Sequence, residues 1–142
     1  MNYKEIFGDV LKTNIIVHTI GADAAFGKGI AYTIKKKYFK MVKYLQSKTP
    51  LEIPGVYEYI NNDNKIIINL VTKPSSYKKP TLKQYEDAIE LLREYCIKNN
   101  ITTLNMPAIG SGLDGLNWDD VSNIIKEKLC NSNINVNVYL IH

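Results

Sequence analysis

Cysteine and histidine are scarce in this chain, with two of each in 142 residues. Cys96 and Cys130 stand far apart, and both fall in segments patterned as helix. They read as small buried hydrophobes, not as a disulfide or a redox pair. His18 and His142 are equally isolated, and no Cys/His cluster has metal-ligand spacing, so a zinc site is not expected. An apolar run long enough to cross a bilayer is also missing. The opening "MNYKEIFGDV" carries charges at once, so neither a signal peptide nor a membrane span is expected, and a reduced, cytoplasmic setting is the default. With no internal repeat, linker or low-complexity tract, one domain is expected to fill residues 1–142. Charge is only mildly unbalanced, at +4 with 23% charged residues, which favours anionic ligands without demanding nucleic acid.

What is present is a pattern of strands alternating with helices. The hydrophobic fraction, 45%, suffices for one compact core. "KEIF" and "NIIVHTI" read as strands with "GDVLKT" between them, and "GIAYTIKKKYFKMVKYLQSK" reads as helix with a break near Phe39. "PGVYEYI" and "KIIINLV" are strands around the turn "NNDN"; the second is apolar on both faces and belongs in the middle of a sheet. "TKPSSYKKP" is a loop. Thr81 with Gln84 forms a capping box, and Leu82, Tyr85, Ile89, Leu92 and Cys96 make one apolar stripe of an amphipathic helix. After the strand "ITTLNMP", Asn117 caps a helix "WDDVSNIIKEKLC" whose Val121, Ile124, Ile125 and Leu129 face inward, and "INVNVYLI" closes the sheet. The alternation predicts a layered α/β domain.

Two glycine-rich loops follow strands. "HTIGADAAFGKGIAYTIKKKY" is not a P-loop, because Gly21 and Gly27 are spaced too widely and Lys28 is followed by Gly29 where Ser or Thr is required. It also lacks the third glycine of the dinucleotide fingerprint. What remains is a strand, glycines that let a ligand approach the backbone, and a helix N-terminus able to receive an anion. The second loop, "PAIGSGLDGL", places Gly110, Gly112 and Gly115 where backbone N–H groups can surround a phosphate. Two such loops at strand ends point to a pyrophosphate held between them.

"FGDVLKT", "GKGIA", "INLVTK" and "MPAIGSGLDGLNWDDV", in that order and over almost the whole chain, resemble a macrodomain. More narrowly they resemble the terminal ADP-ribose protein glycohydrolase class, which also includes antitoxin macrodomains that strip ADP-ribose from DNA. The resemblance implies a three-layer α/β/α fold with a central mixed, twisted sheet and ADP-ribose in a cleft at one end. It implies a lysine nucleophile, mapping onto Lys73, and an aspartate partner, mapping onto Asp114. A lysine attacks carbon only as the free amine, which burial favours and a neighbouring carboxylate opposes. The aspartate is therefore useful as a proton acceptor or a ligand of a ribose hydroxyl, not as a mere counter-ion.

The same resemblance places Asp9 against the adenine amino group with the Val10 backbone beside it, and Tyr139 near the adenine ring. Ile20, Gly21, Gly27, Gly29, Ile30 and Ala31 would line the distal ribose and phosphates from one side. Thr72, Pro107, Ile109, Gly110, Ser111, Gly112 and Leu113 would complete the ligand site. Close relatives often carry serine where this chain has Gly21, a departure expected to cost ligand affinity. His18 is expected to be a buried structural residue. Lys35, Lys36, Lys37, Lys40 and Lys43 form a basic run that, with Lys78, Lys79 and Lys83, could steer a phosphate-rich substrate, and Tyr32, Tyr38, Phe39 and Tyr44 interleave with it as packing.

The expected function is an ADP-ribosyl hydrolase that frees mono-ADP-ribose from acidic (Glu/Asp) side chains of proteins. The alternatives are release from thymidine in ADP-ribosylated DNA, or a module that binds ADP-ribose without turnover. No metal or cofactor is expected, ADP-ribose being ligand and product; the partner is an ADP-ribosylated protein, no membrane is involved, and the protein is expected to be a monomer.

Overall fold

The computed structural model describes residues 2–140. Six strands build one sheet: β1 (Tyr3–Phe7), β2 (Ile15–Gly21), β3 (Gly55–Ile60), β4 (Ile66–Lys73), β5 (Thr103–Pro107) and β6 (Asn135–Leu140), in the spatial order β1-β6-β5-β2-β4-β3. Every neighbouring pair is parallel except β3–β4, so the sheet is mixed. β4 lies between β2 and β3 and is buried along its length, as its two-sided apolar run predicts.

Alternate residues of the strands feed two cores. Ile68 and Leu70 of β4, with Val17, Leu104, Met106, Val136 and Val138, pack under α3 (Leu82–Lys98) and α4 (Trp118–Lys128). Ile67 and Val71 point the other way and pack with Ile20 under α1 (Gly29–Lys37) and α2 (Phe39–Ser47). The result is a three-layer α/β/α sandwich. Tyr85, Ile89, Leu92 and Cys96 of α3 are fully buried, but Leu82, expected in the same stripe, is 37% exposed because it begins the helix at its outer end. Thr81 and Gln84 form the reciprocal capping box, with both hydrogen bonds made.

One helix boundary follows the sequence pattern and one differs. The helical stretch after Gly29 breaks where expected, next to Phe39, into two helices separated at Tyr38, whose backbone leaves the helical region. The last helix ends at Lys128, so Cys130 sits in a 3-10 turn (Cys130–Ser132) and not in a helix. Asn133, in the left-handed conformation, then turns the chain toward β6. Both cysteines are free thiols, and burial pushes each up from the usual thiol range.

Because β1, β2, β4, β5 and β6 are parallel, their carboxyl ends leave the sheet at one edge. The segments after Phe7, Gly21, Lys73 and Pro107 therefore converge there, beside the end of β6, and parallel α/β sheets place ligand sites at that edge. Among the described residues, no helix is long and apolar enough to cross a membrane.

Candidate active site

A pocket of about 760 Å³ opens at this edge, lined by the segment after β2, the start of α1, the end of β4 with its following loop, and the glycine-rich loop after β5. Its volume lies within the range of small-molecule sites. Lys73, the last residue of β4, enters it from one strand; Asp114 enters it from the glycine loop. Lys73 Nζ lies 2.7 Å from Asp114 Oδ1, although the two residues are 41 positions apart in the chain. Their side chains are only 12% and 11% exposed, so they meet in a largely desolvated spot that still opens to the pocket.

Asp114 has a second partner that the sequence pattern did not single out. The hydroxyl of Tyr85, from the first turns of α3, donates to Asp114 Oδ2 at 2.6 Å, and Thr19 Oγ1 lies 2.9 Å from the same phenol. Burial, then the charge of Asp114 and its hydrogen bond, raise the pKa of Tyr85 far above its ordinary value, so the ring carries a neutral phenol. The glycine loop is shaped around that ring. Gly110 has φ +81°, and a Cβ placed on it would stand 3.0 Å from Tyr85 Cε2 and 3.2 Å from Cζ. Only glycine satisfies both the backbone and the space.

The loop after β4, residues 74–80, is fastened across the pocket. Asp23 accepts hydrogen bonds from the Ser76 backbone N–H at 2.9 Å and the Ser76 hydroxyl at 2.6 Å. Burial pushes the Asp23 carboxyl up, but these bonds, with the backbone N–H of Ala25, outweigh it and leave it below the usual aspartate range. Gly21 is the counterpart of this contact: a Cβ there would lie 2.7 Å from Ser76 N and 2.8 Å from Ser75 C. Glycine at position 21 thus has a steric cause in this chain, the close passage of the 75–76 backbone. At the other end of the loop, Lys79 Nζ donates to the Leu113 carbonyl at 3.2 Å, tying it to the glycine loop. Tyr77, between the two ties, is 83% exposed.

The remaining expected ligand residues divide by position. Ile20, Gly21, Gly27, Gly29, Ile30, Ala31, Pro107, Ile109, Gly110, Gly112 and Leu113 all line the pocket. Asp9, Val10, Thr72, Ser111 and Tyr139 do not. Thr72 is fully buried because strand alternation turns it to the face opposite Lys73. The Ser111 hydroxyl donates back to the Ala108 carbonyl at 2.8 Å and stabilises the turn. Asp9 caps the 3-10 turn Val10–Lys12 by accepting the Leu11 N–H at 2.9 Å, and the Val10 carbonyl already accepts from the Thr13 N–H and hydroxyl. Tyr139 packs beside Gly8, where a Cβ would meet its ring at 3.4 Å, so Asp9 and Tyr139 share the β1–β6 end of the same sheet edge.

His18 lies beneath the pocket, fully buried. The Asn69 amide nitrogen donates to the Tyr57 carbonyl at 3.1 Å, which turns Asn69 Oδ1 to His18 and places the proton on His18 Nε2, 2.7 Å away. Burial lowers the His18 pKa to about 4, the Asn69 bond opposing it, so the ring is neutral and structural. Among the described residues, no three His, Cys, Asp or Glu side chains gather as a metal-ligand set.

Comparison with known proteins agrees with this architecture. The chain is 35% identical over 128 residues to the Bos taurus ADP-ribose glycohydrolase OARD1, covering 90% of this chain and 82% of that protein. It is 30% identical over 127 residues to the Mycobacterium tuberculosis DNA ADP-ribosyl glycohydrolase, covering 80% of this chain but 35% of that longer protein. The macrodomain of Mycobacterium tuberculosis DarG shares the fold, with a TM-score of 0.85 at 23% identity over 98% of this chain and 96% of that one. The Macro domain family matches residues 13–125, which include β2, the glycine loops and the Lys73–Asp114 pair, and by that match and this fold the chain belongs to the Macro domain family.

Proposed function

We propose that the protein is an ADP-ribosyl hydrolase that releases mono-ADP-ribose from acidic side chains of proteins, with Lys73 as nucleophile and Asp114 as its proton acceptor. The observation that carries this reading is the 2.7 Å contact between Lys73 Nζ and Asp114 Oδ1 inside a pocket flanked by a helix N-terminus and a glycine-rich loop. The similarity to a protein named as an ADP-ribose glycohydrolase, over most of both chains, supports it.

In this reading the diphosphate lies between the backbone N–H groups at the start of α1 and those of the 110–113 loop, donors that need no counter-cation. The adenine extends toward Asp9 and Tyr139, and the distal ribose toward Lys73. The Lys73 amine, relieved of a proton by Asp114, attacks the anomeric carbon; a nitrogen–carbon bond forms. The bond from that carbon to the acyl oxygen breaks, and its electron pair leaves with the protein carboxylate. Asp114 gives the proton it took to the departing carboxylate and, ionised again, takes one from water, whose oxygen attacks the anomeric carbon; the nitrogen–carbon bond breaks, its electron pair returns to the Lys73 nitrogen, and ADP-ribose is released. Amine, carboxylate and water suffice, so the proposal includes no cofactor.

A second reading, release from DNA, rests on the pocket rim, where Lys28, Lys78 and Lys79 supply positive charge beside exposed Tyr77. One experiment separates the readings. The protein is incubated with glutamate-linked and thymidine-linked ADP-ribose, with Lys73→Ala as control, and a Lys73 adduct is sought by mass spectrometry. Release from the glutamate ester, lost by at least about 100-fold in Lys73→Ala, is the expected result. Release from thymidine alone moves the assignment to DNA. Release from neither, with tight ADP-ribose binding, makes the protein a binding module, and release that survives Lys73→Ala overturns the mechanism.

A further inference from the structure

Asp114 lies in a loop whose neighbours Gly110, Gly112 and Gly115 have no side chains to hold it. Its carboxylate is fixed from outside that loop, by a residue on α3. Tyr85 is fully buried and donates to Oδ2 at 2.6 Å, while Oδ1 faces Lys73 at 2.7 Å. The phenol has one proton and spends it on a carboxylate that can only accept, so the 2.9 Å contact with Thr19 must be donation from the Thr19 hydroxyl to the phenol oxygen. The chain of donors therefore has one direction: Thr19 to Tyr85 to Asp114 Oδ2. Each member is set on a regular element, Thr19 on β2 and Tyr85 on α3. Gly110 lets the loop close against the ring.

From this geometry we infer that Tyr85, oriented by Thr19, is a positioning residue that holds the Asp114 carboxylate with Oδ1 turned to the Lys73 amine. The inference rests on the function proposed above and deepens it. A phenylalanine would fill the core as well as tyrosine does; only the hydroxyl serves the carboxylate. A tyrosine that merely satisfied its own buried hydroxyl could do so with Thr19 alone.

The test uses the full-length protein and its Tyr85→Phe, Thr19→Val and Thr19→Ser variants. Steady-state kinetics on a glutamate-linked ADP-ribosyl peptide are combined with calorimetric titration of ADP-ribose. Loosening a carboxylate at the reacting centre should lower kcat of Tyr85→Phe by about 10- to 100-fold, while the Kd for ADP-ribose stays within about twofold because the backbone donors are untouched. Thr19→Val should lose about 2- to 10-fold in kcat, the equivalent of one neutral hydrogen bond, and Thr19→Ser should retain the wild-type value. A Tyr85→Phe enzyme with wild-type kcat, or one whose loss appears in Kd and not in kcat, overturns the inference.

A readout that needs no substrate separates this outcome from failure of the proposed function. Crystal structures of the wild type and of Tyr85→Phe are compared at Asp114. Loss of the phenol should let the carboxylate turn, so that the 2.7 Å contact of Oδ1 with Lys73 Nζ opens beyond hydrogen-bond distance. If the wild type releases no ADP-ribose, the function falls and the Asp114 position alone decides whether Tyr85 positions it: an unchanged contact overturns that too.

Discussion

At the scale of single residues, the site depends on what glycine leaves out. Gly110 combines φ +81° with a Cβ position 3.0 Å from the Tyr85 ring, and the ring is too deeply packed to yield. Gly110→Ala should therefore destabilise the fold by about 1–3 kcal/mol and push Tyr85 away from Asp114. Urea denaturation and kcat should fall together in that variant; stability and turnover both at wild-type level would show that the loop adapts freely. That Lys73 and Asp114 meet was legible in the sequence through the motifs that carry them, not through any property of a lone lysine or aspartate. Tyr85 was legible only as one member of an apolar stripe. Periodicity reports that a ring is buried, but not which polar group its hydroxyl meets 29 residues later. Asp23 and Ser76 escaped notice for the same reason, since they meet across 53 positions.

At the scale of elements, α3 links folding to the site. Its capping box fixes the first turns, and Tyr85 lies within them. Thr81→Ala should remove about 1 kcal/mol, seen as a melting temperature lower by about 3 °C, with a kcat loss through a looser Tyr85. A variant that melts lower but turns over normally would confine the cap to stability. The strand and helix order was readable because alternation and the 3.6-residue period are local signals. The break between α1 and α2, expected near Phe39, falls at Tyr38, whereas the early end of α4 depends on how the chain must turn to reach the next element, which no local period encodes.

At the scale of the whole molecule, a neutral histidine in the core makes stability depend on pH. His18 holds a pKa of about 4 in the folded protein, against about 6.5 in an unfolded chain. A depressed folded value means that the unfolded state binds more protons between these limits, so the stabilisation is present above the upper limit and is lost as pH falls toward the lower one. Between pH 7 and pH 5 the wild type should lose about 2 kcal/mol more than His18→Gln, measured by urea midpoints at each pH. Glutamine keeps a donor for Asn69 and does not titrate; parallel curves for the two proteins would remove His18 from the account. The parallel order of five strands, the feature that brings distant segments to one edge, could be read only as a class of fold from the sequence, because register and neighbour choice arise from the packed sheet.

The strap over the pocket is anchored near one end by Asp23 and at the other by Lys79, with Tyr77 standing outward between them. Two ties to separate loops make displacing this segment costlier than if it hung from one, and they couple the loop that carries Asp23 to the loop that carries Leu113.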